Sequence, residues 1–298
     1  MMKFGYVALI GRPNAGKSTL LNRLAGTKLA IVSDKPQTTR TRILAVQNYP
    51  DAQVVFIDTP GIHRPLHRMN VRMVQTAIDS IRDVDVLCVV VDASEAPGGG
   101  ERFLMTLLAE ATLPVVLVLN KIDRIQKTQL LPAIDRYRAL RPFAAIVPVS
   151  ALTGENVDRL EAVLREQLPE GPALYPVDYL TDQPERFFVA EIVREKVLQL
   201  THAEIPFATA VAVDRFEEPD ERGLLRLFCT ILVDRESQKP IIVGRQGAMI
   251  KAIGTAARED LERFFQARVF LDLHVKVRSR WRDDDQLLDE LGLPRRGR

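Results

Sequence analysis

The sequence predicts an α/β protein of two domains, a parallel-type sheet flanked by helices followed by a smaller α+β domain. Three observations predict it. Over residues 1–170 continuous apolar runs alternate with helical patterns. A proline-rich stretch then breaks that rhythm, and the pattern beyond it is different. The length, 298 residues, exceeds the most common domain size and suits two domains.

"FGYVALI", "QVVFID", "VDVLCVVVD", "LPVVLVLN" and "FAAIVPVS" are apolar almost throughout, as strands buried on both faces are. Helical patterns begin near Ser18, Val71, Glu101, Leu130 and Glu155, one after each strand. "LPEGPALYPVDYLTDQPER", with four prolines and one glycine, is expected to be irregular, with a linker at 171–184. The second domain, 185–282, opens with the helix-like "FVAEIVREKVLQLT". Two β-rich runs come next, "FATAVAVDRF" and "LLRLFCTILVDR", around the turn-rich "EEPDERG". After a glycine loop comes a long helix to about Phe265, with Ile250, Ile253, Ala257, Leu261 and Phe264 on one face. In "VFLDLHVKV", Val269, Leu271, Leu273, Val275 and Val277 alternate, which predicts a half-buried strand. Residues 239–243 suit a short strand or a helical turn equally. An acidic-then-basic tail occupies 283–298, and its end, "LPRRGR", is expected to be disordered.

Hydrophobic residues make up 46% and charged residues 27%, values of globular domains with cores. No apolar run approaches the roughly 20 residues of a membrane-spanning helix, and "FGYVALI" comes soon after the start without a signal-peptide layout. Cys88 and Cys229 lie inside apolar runs, so buried free thiols and a reducing, cytoplasmic compartment are expected. The net charge of +2 says little about partners. Its distribution says more: from Arg235 to Arg282 there are eleven Lys/Arg against five Asp/Glu. Such a stretch suits either nucleic acid or a solvated face.

"GRPNAGKST" runs from Gly11 through Arg12, Pro13, Asn14, Ala15, Gly16, Lys17 and Ser18 to Thr19. It succeeds a strand and opens a helix, the context that makes G-x-x-x-x-G-K-[ST] a phosphate loop. Gly11 and Gly16 let the backbone wrap a β-phosphate with its N–H groups inward. Lys17 offers a charge to the β/γ oxygens, and the Ser18 hydroxyl a ligand to Mg²⁺. Kinase, ATPase and GTPase all remain open at this stage. "FIDTPG" ends a strand with Asp58, Thr59, Pro60 and Gly61, where Asp58 can hold Mg²⁺ through water and the Gly61 amide can meet a γ-phosphate. In "NKID", Asp123 can accept from N1–H and N2–H₂ of guanine, where adenine has the reverse polarity. Asn120 offers the base another hydrogen bond, and Lys121 packs its stem along the ring. "SAL" brings backbone from Ser150 and Ala151 to the guanine oxygen. Each match is short; four in order, each at a strand end, select a GTPase. A kinase or ATPase would require "NKID" to be accidental.

With these residues the chain resembles the translation-factor-like class of GTPases. The resemblance makes "QTTR" at 37–40 the first switch, with Thr39 rather than Thr38 reaching Mg²⁺, and implies catalytic roles for Lys17, Thr39 and Gly61. Switches are expected at about 33–42 and 59–70, ordered by the γ-phosphate and released by hydrolysis. One departure matters: Ile62 stands where Ras-like enzymes carry a water-orienting glutamine. GTPases with an asparagine in this loop bind K⁺ near the phosphates, which implies a K⁺ contact for Asn14; a hydrogen bond within the loop is the alternative. His63 is expected either to face solvent or to touch the attacking water. Intrinsic hydrolysis should be slow.

"VGRQGAMIKAIG" lacks the G-K-[ST] ending, so it offers Mg²⁺ no hydroxyl. Gly244, Arg245, Gln246 and Gly247 instead fit the GXXG of a KH domain, which clamps a nucleic-acid backbone; a tight turn between helices would use the same residues. Arg245 and Lys251 add charge, and Ile241, Ile242, Ala248 and Ile250 are expected to floor the bases. With "IIVGRQGAMIKAIGTAARED", "QTTR", "DTPG", "NKID" and the "RW" at 280–281, the chain resembles the Era family of GTPases over essentially its whole length. That resemblance implies a type II KH domain, a helical turn at 239–243, binding near the 3′ end of 16S rRNA, and a role in assembling the 30S subunit. It also implies a monomer with peripheral contact on the inner face of the membrane. Lys239, Arg278, Arg280 and Arg282 are expected to track further phosphates. Trp281 could stack on a base, although a lone tryptophan at a domain edge more often packs. The competing function is a GTPase whose second domain docks on a protein or an anionic membrane, since lipid and RNA attract the same charges.

Overall fold

The computed structural model describes residues 2–35, 38–62, 67–109 and 111–293. The chain divides into two units, Met1–Pro65 with Asn70–Asp182, and Leu66–Met69 with Gln183–Arg298.

In the first unit six strands, β1 (Lys3–Ile10), β2 (Ile43–Asn48), β3 (Ala52–Asp58), β4 (Val86–Asp92), β5 (Val115–Asn120) and β6 (Ala145–Pro148), form one sheet in the order β2-β3-β1-β4-β5-β6. The helices are α1 (Lys17–Ala25), α2 (Arg68–Arg82), α3 (Gly99–Leu107), α4 (Leu130–Arg138) and α5 (Val157–Gln167). Pairing is parallel from β3 through β6. The five expected strands are present, and in β1, β3, β4 and β5 the apolar runs fill both faces: Leu9, Ile10, Val89 and Leu117 are fully buried, while β6 at the other edge is only partly buried. The sequence reading missed β2, which pairs antiparallel with β3 across a tight turn in which Tyr49 N donates to Ala52 O. β1 lies between β3 and β4, which the chain reaches on opposite sides of it, so the crevice at the carboxyl ends of β1, β3 and β4 is where such sheets bind ligands.

The expected linker needs correction: residues 171–182 belong to the first unit. The fully buried Gln53 holds them, its Nε2 donating to Tyr175 O at 2.8 Å and its Oε1 accepting from Leu174 N and Tyr175 N at 2.9 Å. Tyr175 and Tyr179 pack on Leu44, Val46 and Val55. The prolines end regular structure there, yet the backbone is paired with the sheet edge through Val46 N and Leu180 O.

The second unit contains α6 (Glu185–Leu200), α7 (Ile205–Ala208), β7 (Thr209–Glu217), β8 (Leu224–Val233), α8 (Lys239–Val243), α9 (Ala248–Phe265), β9 (Arg268–Val277) and α10 (Asp285–Glu290). The sheet order is β7-β8-β9, antiparallel then parallel. Its inner face, Leu225, Leu227, Cys229, Ile231 and Val269, packs on Val189 and Val193 of α6 and on Ile253, Ala257 and Leu261 of α9. Residues 239–243 are helical. The acidic part of the tail forms α10, which Asp284 caps by accepting from Leu287 N, and Leu288 is buried; of "LPRRGR" only Leu293, also buried, is described. Residues 294–298 lie outside the described residues. Cys88 and Cys229 are buried free thiols. Among the described residues no helix is long and apolar enough to cross a membrane.

Candidate functional site

The loops after β1, β3 and β5 enclose a cleft of about 470 Å³, lined by Asn14, Lys17, Ser18, Thr19, Thr39, Gly61, Asn120, Lys121 and Asp123 among others. A volume of that order suits a nucleotide-sized ligand. α1 starts at Lys17 with Gly16 before it in left-handed backbone, φ 95°. A Cβ on Gly16 would lie 2.2 Å from Asn120 Nδ2, so only glycine lets the loop pass under the end of β5. No side chain caps α1, so its first-turn N–H groups are left for a ligand.

Lys17 is buried and its Nζ donates to Arg12 O at 3.0 Å and Gly11 O at 3.3 Å. Burial pulls its pKa below the ordinary lysine value, with Asp58 opposing. Ser18 Oγ lies 2.6 Å from Thr39 Oγ1 and donates to Asp58 Oδ2 at 2.7 Å; Thr39 Oγ1 donates to the same oxygen at 3.2 Å. Burial pushes the Asp58 carboxyl up, while Lys17, Ser18 and Thr39 pull it down. Its other oxygen, Oδ1, is buried without a hydrogen-bond partner. Converging hydroxyl and carboxylate oxygens, one of them orphaned, are a donor set that fits Mg²⁺. Thr38 lines the same cleft, and its hydroxyl donates to Lys35 O at 2.6 Å.

At the other end of the cleft Asp123 is exposed, with one carboxylate oxygen fixed by Ser150 Oγ at 2.6 Å. Lys121, in left-handed backbone, donates to Asp92 Oδ2 at 2.6 Å, which holds its stem along the cleft. Asn120 departs from expectation. Its Nδ2 donates to Ala15 O at 2.8 Å and its Oδ1 accepts from Ala151 N at 2.9 Å, so it ties the phosphate loop to the "SAL" loop. The Ala151 amide is thereby engaged by Asn120 as well.

Three other expected contacts change. Arg12 does not line the cleft; its guanidinium pairs with Glu101 at 2.7 Å and Glu95 at 3.4 Å. Thr59 and Pro60 are buried, and the Thr59 hydroxyl donates to Leu9 O. Asn14 Nδ2 donates to Asp34 O at 2.7 Å, a bond across to the next loop rather than within its own. Ile62 is buried in the apolar core of the sheet, and its N–H donates to Gly11 O. Gln37 of "QTTR" and His63 lie outside the described residues.

In the second unit Gly244 has φ 74° and ψ 171°, Gln246 φ 52° and Gly247 φ 78°, a positive-φ run between α8 and α9. A Cβ on Gly244 would stand 2.6 Å from Met249 N and Cβ, so glycine is required for the approach. Arg245, Gln246, Lys239 and Lys251 lie at or near the surface, and α9 has no side-chain cap. This presents free N–H groups and cations at one loop. Ile241 is 47% exposed but Ile242 is wholly buried, because its side chain serves the core; it leaves the expected base floor. Trp281 is also wholly buried, its Nε1 donating to Ala208 O at 2.8 Å, so it packs and has no face for a base. Arg278 pairs with Asp284 and Arg282 with Asp234, both at 3.0 Å; Arg280 is exposed.

Sequence reasoning missed Asp92 and Arg23. Asp92 ends β4 as Asp58 ends β3, so the strand-end rule that found Asp58 applied to it too. Arg23 braces the "SAL" loop by donating to Leu152 O at 2.5 Å; a helical arginine gives no such signal in sequence.

Comparison with known proteins agrees with this geometry. The family described as 50S ribosome-binding GTPase matches residues 6–121, and the KH domain family matches residues 204–282. The chain is 52% identical to the GTPase Era of Geobacter metallireducens, and equally to that of Geotalea daltonii, over 97% of its length and of theirs. Among solved structures, a crystal structure of Era in complex with MgGDPNP and nucleotides 1506–1542 of 16S ribosomal RNA superposes with a TM-score of 0.95 at 41% identity. The match covers 99% of this chain and all of that one. A point variant of Aquifex aeolicus Era bound to GDP·AlF4⁻ gives 0.94 at 42%, with the same coverage.

Proposed function

The chain belongs to the Era family of GTPases, and from that premise we propose a GTP-hydrolysing switch that holds RNA near the 3′ end of 16S rRNA during 30S subunit assembly and 16S rRNA maturation. The observation that carries it is the convergence of four separated stretches on one cleft, with Ser18, Thr39 and Asp58 oxygens meeting at its phosphate end.

Lys17 and the open N-terminus of α1 bind the β- and γ-phosphates, and the Gly61 amide meets the γ-phosphate. Ser18, Thr39 and Asp58, whose oxygens converge, would hold Mg²⁺. Held there, the ion would supply charge to neutralise the phosphate oxygens. At the base end the Asp123 oxygen not engaged by Ser150 accepts from guanine, and Lys121, fixed by Asp92, covers the ring. Ile62 brings no polar group to the attacking water, which makes unaided hydrolysis slow. A K⁺ ion beside the exposed Asn14 would supply part of the missing charge; equal turnover in K⁺ and Na⁺ buffers would remove that part of the proposal.

In the second unit the Gly244–Gly247 loop lets a phosphodiester approach the backbone, with Lys239, Arg245 and Lys251 as counter-charges and Arg280 further along the strand. The test is titration of a single-stranded RNA carrying the 16S rRNA 3′-terminal sequence at two salt concentrations. Binding that weakens with salt is expected. No RNA binding, or binding to anionic vesicles in its place, would overturn the RNA reading in favour of a docking domain.

A further inference from the structure

We propose that Arg12 is a positioning residue of the nucleotide site, which Glu101 holds so that the phosphate loop keeps its binding shape. The inference rests on the GTP-binding function proposed above. Arg12 stands second in the loop, yet its side chain leaves the cleft and donates to Glu101 Oε1 at 2.7 Å. The Glu101 side chain is only 5% exposed, and its second oxygen accepts from Gly98 N at 2.8 Å, capping α3. The anion is therefore already ordered, and a half-buried pair with a fixed partner holds its cation more firmly than a surface pair does. Room for the guanidinium comes from Gly100, where a Cβ would stand 2.8 Å from Arg12 Cδ.

Arg12's backbone closes the same loop. Its carbonyl accepts from Lys17 Nζ at 3.0 Å and from Ala15 N at 3.4 Å. Anchoring the side chain therefore fixes a carbonyl that sets both the loop's curvature and the place of Lys17. The segment after β4 also reaches the base end: Asp92 holds Lys121, and Ala93 N donates to Asn120 O at 2.8 Å. One stretch, residues 92–101, braces both ends of the cleft.

The test compares full-length wild type with Arg12→Ala, Glu101→Gln and the double variant. GDP and GTP dissociation constants, KM and kcat for GTP, and the nucleotide-free melting temperature are measured. Glu101→Gln keeps an acceptor for Gly98 N, so α3 stays capped. Each single change should weaken GDP and GTP by the same factor, roughly three- to tenfold. KM should rise with kcat unchanged, and the melting temperature of Glu101→Gln should hold. The double variant should be no worse than the weaker single, because the two residues act as one unit. The proposal is overturned if Arg12→Ala costs GTP more than GDP while Glu101→Gln tightens GTP, for Arg12 would then touch the γ-phosphate itself. It is equally overturned if wild type binds both nucleotides and neither variant changes them. A wild type that binds neither nucleotide removes the GTP-binding function and this inference with it.

Discussion

At Asp123 one carboxylate oxygen is committed to Ser150 Oγ, so the base contact proposed for it would fall to the other oxygen and to the charge of the group. Asp123→Asn replaces an acceptor by a donor opposite N2–H₂ of guanine. GTP affinity should fall roughly 10- to 100-fold, the worth of a hydrogen bond to a charged group. XTP, which carries an oxygen there, should gain, and competition titration reads the exchange directly. An unchanged preference for GTP would separate Asp123 from base recognition. Trp281 makes the opposite case. Buried and bonded to Ala208 O, it should cost about 1–3 kcal/mol of stability as Trp281→Phe, through lost volume and an unpaired carbonyl. RNA affinity should not change, as measured by denaturation and RNA titration on one preparation. A loss of RNA affinity without loss of stability would restore the stacking role. Asp58, Lys17 and Asp123 were legible in the sequence because their chemistry dictates residue type and spacing. Arg12 was not, because the direction of a long side chain is set by distant neighbours such as Glu101; for Trp281 the sequence left stacking open but favoured packing, which the burial and the bond to Ala208 O bear out.

Among the elements, the continuous apolar runs announced β1, β3, β4, β5 and β6, whereas β2, buried over residues 43–46, was missed; it lies at the sheet edge with antiparallel pairing. The segment at 171–182 was misread for a related reason. Its prolines report the absence of helix and strand correctly, but not what its backbone meets. A single side chain, Gln53, satisfies Leu174 N, Tyr175 N and Tyr175 O. Gln53→Ala would leave those groups without their partner at a cost of about 2–3 kcal/mol. Limited proteolysis should then cut within 171–182 faster than in wild type, while GTP affinity stays. Equal cleavage would mean that Tyr175 and Tyr179 hold the segment by packing alone. The turn at 239–243 shows the same limit from the other side, since "KPIIV" fits a strand or a helix by composition and tertiary packing of Ile242 decides it.

For the whole molecule, two glycine loops each lead into a helix without a side-chain cap, a geometry suited to phosphate, and differ in the residues after the second glycine. Gly16 leads into Lys17 and Ser18, which meet Asp58 and Thr39; Gly247 leads into an uncapped helix whose first turn carries no hydroxyl or carboxylate for a metal. The first therefore suits a nucleotide with Mg²⁺, and the second a strand of RNA. The most direct test of that division measures GTP and RNA affinity on the same two variants, Lys17→Ala and the double change Gly244→Asp with Gly247→Asp. The account predicts that Lys17→Ala loses GTP and retains the 16S 3′-terminal fragment, while the double change retains GTP and loses the fragment. RNA binding that survived both aspartates, or that vanished with Lys17 alone, would contradict it.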